Sequence, residues 1–450
     1  MRPLALLLLA AMSAPLAAQP LRFGSADALD ELGSGRPARD VVEVSGAVGA
    51  AYLPAAWRGA VQGRLEASAG RVSLGLGQTV HPAAGGLYDP EADELYDVAR
   101  ALRYLRLNAT PQSRVYARLG PPEHLTLGAG ALARGYRTTT AWDARTVGLE
   151  AAAERGRFVV GGFADDVRLN GVVGGQVEVE TGSSVGPLVN ARVGIAGLHD
   201  LGLAQFTGDS SLTGVEAWAS AEWVGDETFS VSPFVSTARY LGRGGTLGAG
   251  IEAGAYNLSN AFRANVQVAL YASGAGFALG HVGPFYAVSN ARERIVDADS
   301  FYDDDPALTL VGTPLDSVQA GVDFVTSGRV LAFGRFEVAG HVRRHVGADR
   351  LSAFGVRLGA RLPRGGAVAF ELERQGFRSL LSLLGDLGEE NALRLDLRVP
   401  LAEPVVLVVQ SRYGYRALTP SELGPEGISE RRFLIERRFE PMVGLRIRAF

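Results

Sequence analysis

Strict alternation of apolar and polar residues, in runs of about ten repeated along most of the chain, restricts the fold more than any other feature. In 61–69, Val61, Gly63, Leu65, Ala67 and Ala69 alternate with Gln62, Arg64, Glu66 and Ser68. In 215–223, Val215, Ala217, Ala219, Ala221 and Trp223 alternate with Glu216, Trp218, Ser220 and Glu222. The stretches 262–272, 354–362 and 393–399 repeat the pattern. Successive strand side chains point to opposite faces, so each stretch has one apolar and one polar face. Runs of about 9 to 13 residues are longer than the 5 or 6 usual in soluble strands. About 9–11 tilted residues carry a strand across a bilayer, and such segments divided by turns are the pattern of a transmembrane barrel. Soluble sandwiches, propellers and solenoids are the alternatives. Sandwich and propeller strands are shorter, and no fixed period of about 20 to 50 residues runs through the chain.

Mean hydropathy is +0.10, high for a soluble protein, yet the apolar residues form no long run beyond the N-terminus. That run is too short for a spanning helix, which needs about 20 apolar residues. Arg2, the apolar stretch 4–12 and the small residues 13–18 read instead as a signal peptide over 1–18, cut before Gln19. An uncleaved anchor is the alternative. Segment 19–40 lacks alternation and is expected to be a periplasmic lead-in to a barrel over 41–450. The absence of Cys excludes disulfides and thiolate metal sites. All 44 basic residues are Arg, as a GC-rich genome would give; the planar guanidinium also suits ion pairs in a polar lumen. A net charge of −4 argues against binding nucleic acid.

Counting alternating runs gives a closed antiparallel transmembrane β-barrel of about 22 strands, within a range of about 18 to 22. Strands are expected at 124–136 and 275–288 among them. Short connectors, such as Ser327-Gly328-Arg329 and 363–366, alternate with long ones at 289–315, 376–391 and 416–430. Loop parity makes 431–450 a single long strand with Pro441 at a bulge or break. An even strand count puts both ends in the periplasm.

The polar faces assemble a lumen. Arg64, Glu66, Glu178, Arg192, Glu216, Glu222, Arg263, Arg335, Glu337, Arg343, Arg357, Arg361, Glu371, Glu373, Arg394, Asp396 and Arg398 fall on positions expected to line it. Their mixed signs predict no strong ion preference. His341 and His345 share a spacing of four, but on a strand that separates them by about 13 Å, too far to share a metal. Asp297, Asp299, Asp303, Asp304 and Asp305 crowd one segment. Dense carboxylates can hold Ca²⁺, although the spacing is not that of an EF-hand; a solvated external loop is the simpler account. No Gly-x-Ser-x-Gly elbow and no His-Glu-x-x-His is present, so no catalytic role is expected.

The signal peptide and the C-terminal stretch 443–450 resemble those of the outer-membrane β-barrel proteins of diderm bacteria. Val443, Leu445, Ile447 and Ala449 alternate before a final Phe450, which stands one residue out of phase with them. The resemblance implies outer-membrane lipid around the chain and recognition of 443–450 by the barrel-assembly machinery. The expected function is a porin-like passive channel for small hydrophilic solutes. A platform barrel for assembly or export, with a plugged lumen, is the alternative, and an outer-membrane enzyme a more distant one. Segments folded into the lumen would favour the platform; an open bore would favour the channel.

Overall fold

The computed structural model describes most of 41–449. Left outside are 1–40, Phe450, and parts or all of the connections between strands, among them 284–316, 378–390 and 418–434. The expected signal peptide, the lead-in and the Asp297–Asp305 segment therefore lie outside the described residues.

The chain is all β. In order, the strands are β1 (Val41–Leu53), β2 (Ala56–Ala69), β3 (Val72–Val80), β4 (Pro82–Ala83), β5 (Gly86–Leu87), β6 (Leu102–Leu107), β7 (Val115–Gly120), β8 (Leu125–Leu127), β9 (Ala133–Tyr136), β10 (Gly148–Arg155), β11 (Phe158–Ala164) and β12 (Val172–Glu180). Then come β13 (Leu188–Asp200), β14 (Leu212–Val224), β15 (Phe229–Tyr240), β16 (Gly245–Tyr256), β17 (Phe262–Ser273), β18 (Ser317–Val330), β19 (Gly334–Val346), β20 (Ala353–Arg361), β21 (Ala367–Gln375), β22 (Asn391–Ala402), β23 (Val405–Ala417) and β24 (Ile435–Ala449).

Among the described residues, twenty of these form one antiparallel sheet; β4–β5 and β8–β9 are separate two-stranded sheets. Sequential strands pair, with β3 to β6 and β7 to β10 bypassing the short hairpins. The pairings return on themselves, because β1 binds both β2 and β24. Strand direction then sorts the connections. The short ones at 70–71, 156–157 and 403–404 join strand ends on the side of Val41 and Ala449. The long ones at 81–101, 121–147 and 274–316 join strand ends on the other side, together with the short 54–55 and 241–244.

Burial is inverted relative to a soluble β protein. Val44, Val48, Ile195, Val215, Leu247, Leu270, Val443, Leu445 and Ile447 are exposed, while Glu43, Gln62, Glu178, Glu216, Gln267, Glu371 and Arg394 are buried. The two sets alternate along the same strands. The alternation expected from sequence is thus present, with its polar face turned inward.

Three expectations are corrected. Segment 125–136 and the described part of 275–288 do not join the sheet. The first forms the β8–β9 hairpin, and the described part of the second holds only a single bridge, Ala133 to Val282. Ser327-Gly328-Arg329 is not a turn; it lies in β18, where Gly328 faces Phe336 across the ladder. The connection falls instead at 331–333, whose residues Leu331, Ala332 and Phe333 carry no turn signal. Ile435–Ala449 does form one strand through Pro441, which faces Ser411 on β23. On the β1 side the ladder runs to Gly49–Met442 and resumes at Tyr52–Phe439 without a change of register. Pro has no N–H to give there. Gly49 makes the approach sterically feasible, since a Cβ at that position would run into the Pro441 carbonyl.

Candidate functional site

The buried face of the sheet is the site, and part of it is covered from within. The β8–β9 hairpin and its flanks touch Gln176 on β12, Glu216 on β14 and Tyr271 on β17. Each of these residues alternates with an exposed apolar neighbour, Val177, Val215 and Leu270, so each lies on the inward face. Just beyond β9, Arg137 Nη1 reaches Glu371 Oε1 at 3.0 Å. Glu371 is on β21, seven strands from β14 around the sheet. Only a segment inside the ring of pairings can touch both.

A local signal explains why this segment leaves the sheet. Pro121-Pro122 precedes it, and Gly128 and Gly130 take positive φ values of 60° and 87°. That backbone turns the Gly128, Ala129 and Ala131 amides toward the wall, while the Gly130 amide closes the turn on the Leu127 carbonyl at 2.9 Å. The Glu216 carboxylate accepts from the Ala129 amide at 3.0 Å and the Ala131 amide at 3.4 Å. The Gly128 amide donates to Gln176 Oε1 at 2.7 Å. Backbone amides gathered in this way form a concavity for an anion, here filled by a side chain of the wall. Arg134 Nη2 donates to the Ala129 carbonyl at 2.8 Å, and Tyr271 Oη donates to the same oxygen at 3.2 Å. Apolar contacts complete the docking. Leu125, Leu127 and Leu132 are fully buried in one cluster with Phe163, Tyr240 and Phe277. Gly214 on β14 leaves the recess that Leu132 enters: a Cβ there would lie 2.7 Å from Leu132 Cδ2. Twenty strands would close into a ring too wide for wall side chains alone to fill, which would leave an inner segment room for a small core of its own.

At the rim, Tyr136 Oη donates to Asp165 Oδ2 at 2.6 Å. Asp165 follows β11, outside the strands. Burial, partly offset by the Tyr136 and Val172 hydrogen bonds, pushes its carboxyl up from 3.8 to about 6, with Asp166 and Asp200 adding to the rise.

The rest of the wall carries linked charges. Glu66 accepts from Arg103 at 2.9 Å and from Arg446 at 3.0 Å, and Arg446 also contacts Glu43. That network ties β6, β2, β24 and β1 together. Arg118 lies 3.5 Å from Glu150, Trp218 Nε1 donates to Glu178 at 3.4 Å, and Asn190 donates to Glu222 at 2.9 Å. Asp396 accepts from Gln410 at 2.7 Å and lies 3.5 Å from Arg398. His341 Nε2 is 3.4 Å from Glu373, while His345 is buried beside Ser352, whose Oγ accepts from its amide.

Of the residues expected to line a lumen, Glu178, Glu216, Glu371, Glu373, Arg394, Asp396 and Arg398 are buried. Arg64, Glu66, Arg192, Glu222, Arg343 and Arg357 are half-buried. Arg263, Arg335, Glu337 and Arg361 stand on strands, with side chains outside the described set. Sequence reasoning missed Arg137, Tyr136, Asp165, Gln176 and Tyr271. The breakers at 121–122 and 128–130 are the signal that would have separated the inner hairpin from the strands of the large sheet. Among the described residues, no group of three or more His, Asp or Glu is placed to hold a metal ion.

No family model and no curated protein matches the chain. Solved structures do resemble it. One is CdiB from Acinetobacter baumannii, 8% identical, with 91% of this chain and 60% of that chain covered at a TM-score of 0.28. The chain thus spans less than two thirds of that protein's length. Another is OpdL from Pseudomonas aeruginosa, 11% identical over 92% of this chain and 99% of that chain, TM-score 0.31. A third is Wzi, described as an outer membrane protein involved in group 1 capsule assembly in Escherichia coli and a carbohydrate-binding β-barrel. It is 11% identical over 90% of this chain and 84% of that one, TM-score 0.34. These are distant likenesses.

Proposed function

We propose that the chain is a closed outer-membrane β-barrel that passes small hydrophilic solutes through a lumen narrowed by its inner hairpin. The inverted burial carries this reading: exposed Val, Ile and Leu alternate with buried charges on the same strands. Such a surface is costly in water and fits only against lipid. Pairing of β1 with β24 supports closure. Exposed apolar positions on β14 run from Val215 to Trp223, about 26 Å along the strand and roughly 20 Å along the membrane normal at ~40° tilt. That is close to the apolar band of about 25 Å expected of such barrels. Aromatic residues mark both edges. Trp57 sits edge-on to Tyr52 and Phe439, with centroids 5.7 and 6.0 Å away, at one end. Phe158, Trp223 and Phe229 are exposed at the other. Amphipathic rings favour the headgroup level. The side of Val41 and Ala449 would face the periplasm and the side of the long connectors the exterior.

The second reading is a platform barrel held shut. The depth at which the inner hairpin is buried favours it. Planar-bilayer recording of the purified protein separates the two. Discrete conductance steps support the channel, and silence over many verified insertions refutes it in favour of the platform.

A further inference from the structure

The cross-strand register assembles something that the sequence order hides. Arg357 on β20 faces Glu371 on β21. Glu371 faces Arg394 on β22. Arg394 faces Arg412 on β23, and Arg412 faces Glu440 on β24. Five charged side chains thus form one continuous row perpendicular to five adjacent strands. Four of them are buried, and Arg357 is half-buried. Arg137 joins the row from the lumen side through Glu371. The row then holds four guanidinium groups against two carboxylates.

Neighbouring charges leave that balance intact. Arg438 lies 3.4 Å from Glu440, and His81 lies 3.8 Å from the same oxygen. Along the inward face on one side stand Asp396, one position away, and Arg398, two positions away; on the other stands Glu373 with His341. Among these described residues, six arginines face four acids, an excess of two positive charges without counting either histidine.

Arg394 and Arg412 are direct cross-strand partners of like sign. Such pairs are unfavourable by themselves, and arginine cannot discharge by losing its proton. Two adjacent planar guanidinium groups bring many N–H donors together at one place, a combination suited to a two-oxygen anion. Among the described residues, the inner hairpin packs on the wall from β11 to β17 and reaches this sector through Arg137. A positive strip between low-dielectric walls focuses its potential on whatever space remains beside it.

We propose that the Arg357–Arg394–Arg412 row, with Arg137, is a binding strip for small oxyanions, carboxylate or phosphate, and makes the lumen anion-preferring. The proposal rests on the interior placement of these residues and not on the lumen being open. The two are separated by measuring binding and conduction independently.

Inorganic phosphate and succinate are titrated into the purified protein in detergent by calorimetry, at constant ionic strength set by sodium chloride. The wild type is expected to bind. Arg394→Gln and Arg412→Gln are each expected to weaken binding at least tenfold, while Arg155→Gln, at the end of β10, leaves it unchanged. Heat-modifiable migration of each variant on a detergent gel verifies that the barrel is intact. In parallel, reversal potentials under a tenfold KCl gradient are expected to favour chloride in the wild type and to shift toward potassium in both variants. Conduction without anion preference, or binding and selectivity unchanged by both substitutions, overturns the strip and leaves the channel standing. Silence in bilayers with Arg-dependent phosphate binding overturns the channel and leaves the strip. Silence together with absent or Arg-independent binding overturns both.

Discussion

Glu216 is the point at which the inner hairpin is most exposed to a single substitution. Its carboxylate takes two amides from the turn, Ala129 at 3.0 Å and Ala131 at 3.4 Å. It is itself 2% exposed. Glu216→Ala leaves both amides facing a cavity. Each stranded buried donor costs ~1–3 kcal/mol, so the docked hairpin loses roughly 2–6 kcal/mol. At tenfold per ~1.4 kcal/mol, even the lower figure shifts the ratio of docked to released hairpin about thirtyfold. Glu216→Gln keeps an acceptor oxygen in place and weakens each bond by about half, so its effect should be clearly smaller. The sheet itself should survive, because Glu216 makes its ladder bonds through the backbone. Two assays read the outcome. Trypsin should cut at Arg134 or Arg137 in the Ala variant far faster than in the wild type, and bilayer recordings of the Ala variant should show larger or more frequent open levels. Wild-type protection of both arginines in Glu216→Ala, in a protein that still migrates as an intact barrel, would refute the docking argument.

Other perturbations probe neighbouring parts of the same account. Asp165 is raised from 3.8 to about 6, so the folded state holds a proton that the unfolded state has lost. The fold therefore loses stability as pH rises from about 4 to about 6, by up to about 3 kcal/mol at ~1.4 kcal/mol per pH unit. Urea midpoints in lipid vesicles should fall over that window, and Asp165→Asn should remove this component; an equal slope in the Asn variant contradicts the assignment. Gly214→Val fills the recess of Leu132 and should release the hairpin as Glu216→Ala does, read by the same trypsin cleavage; unchanged protection argues against the recess. Ile195, 64% exposed near the middle of β13, faces lipid in the proposed barrel. Ile195→Arg should then cost ~2–4 kcal/mol on refolding into bilayers, whereas a cost near zero, as on a water-exposed surface, would count against the membrane orientation.

The parts legible in the sequence were those governed by a period of two. Val215, Ala217, Ala219, Ala221 and Trp223 declare one face of β14, and Glu216, Trp218, Ser220 and Glu222 the other; no tertiary knowledge is needed to separate them. The same rule misled at 124–136, because a hairpin packed on a wall also alternates. Leu125 and Leu127 are spaced as on a membrane strand, yet they bury themselves against Phe163 and its neighbours instead of facing lipid. Periodicity reports that a segment has an apolar face; it does not report which apolar phase covers that face. The breakers at Pro121-Pro122 and Gly128 held that information, but only a weighing of backbone chemistry above pattern would have drawn it out. The arginine row was illegible for a different reason. Arg357, Glu371, Arg394, Arg412 and Glu440 are spread over more than eighty residues, and the offsets that align them are set by hairpin lengths. Moving the turn from 327–329 to 331–333 is the kind of correction on which such alignment depends, since a register slip of one residue exchanges the inward and outward sets of a strand. Fold class therefore follows from local alternation alone, whereas the charge pattern of the interior is a property of register and becomes visible only when every strand has been matched to its neighbour.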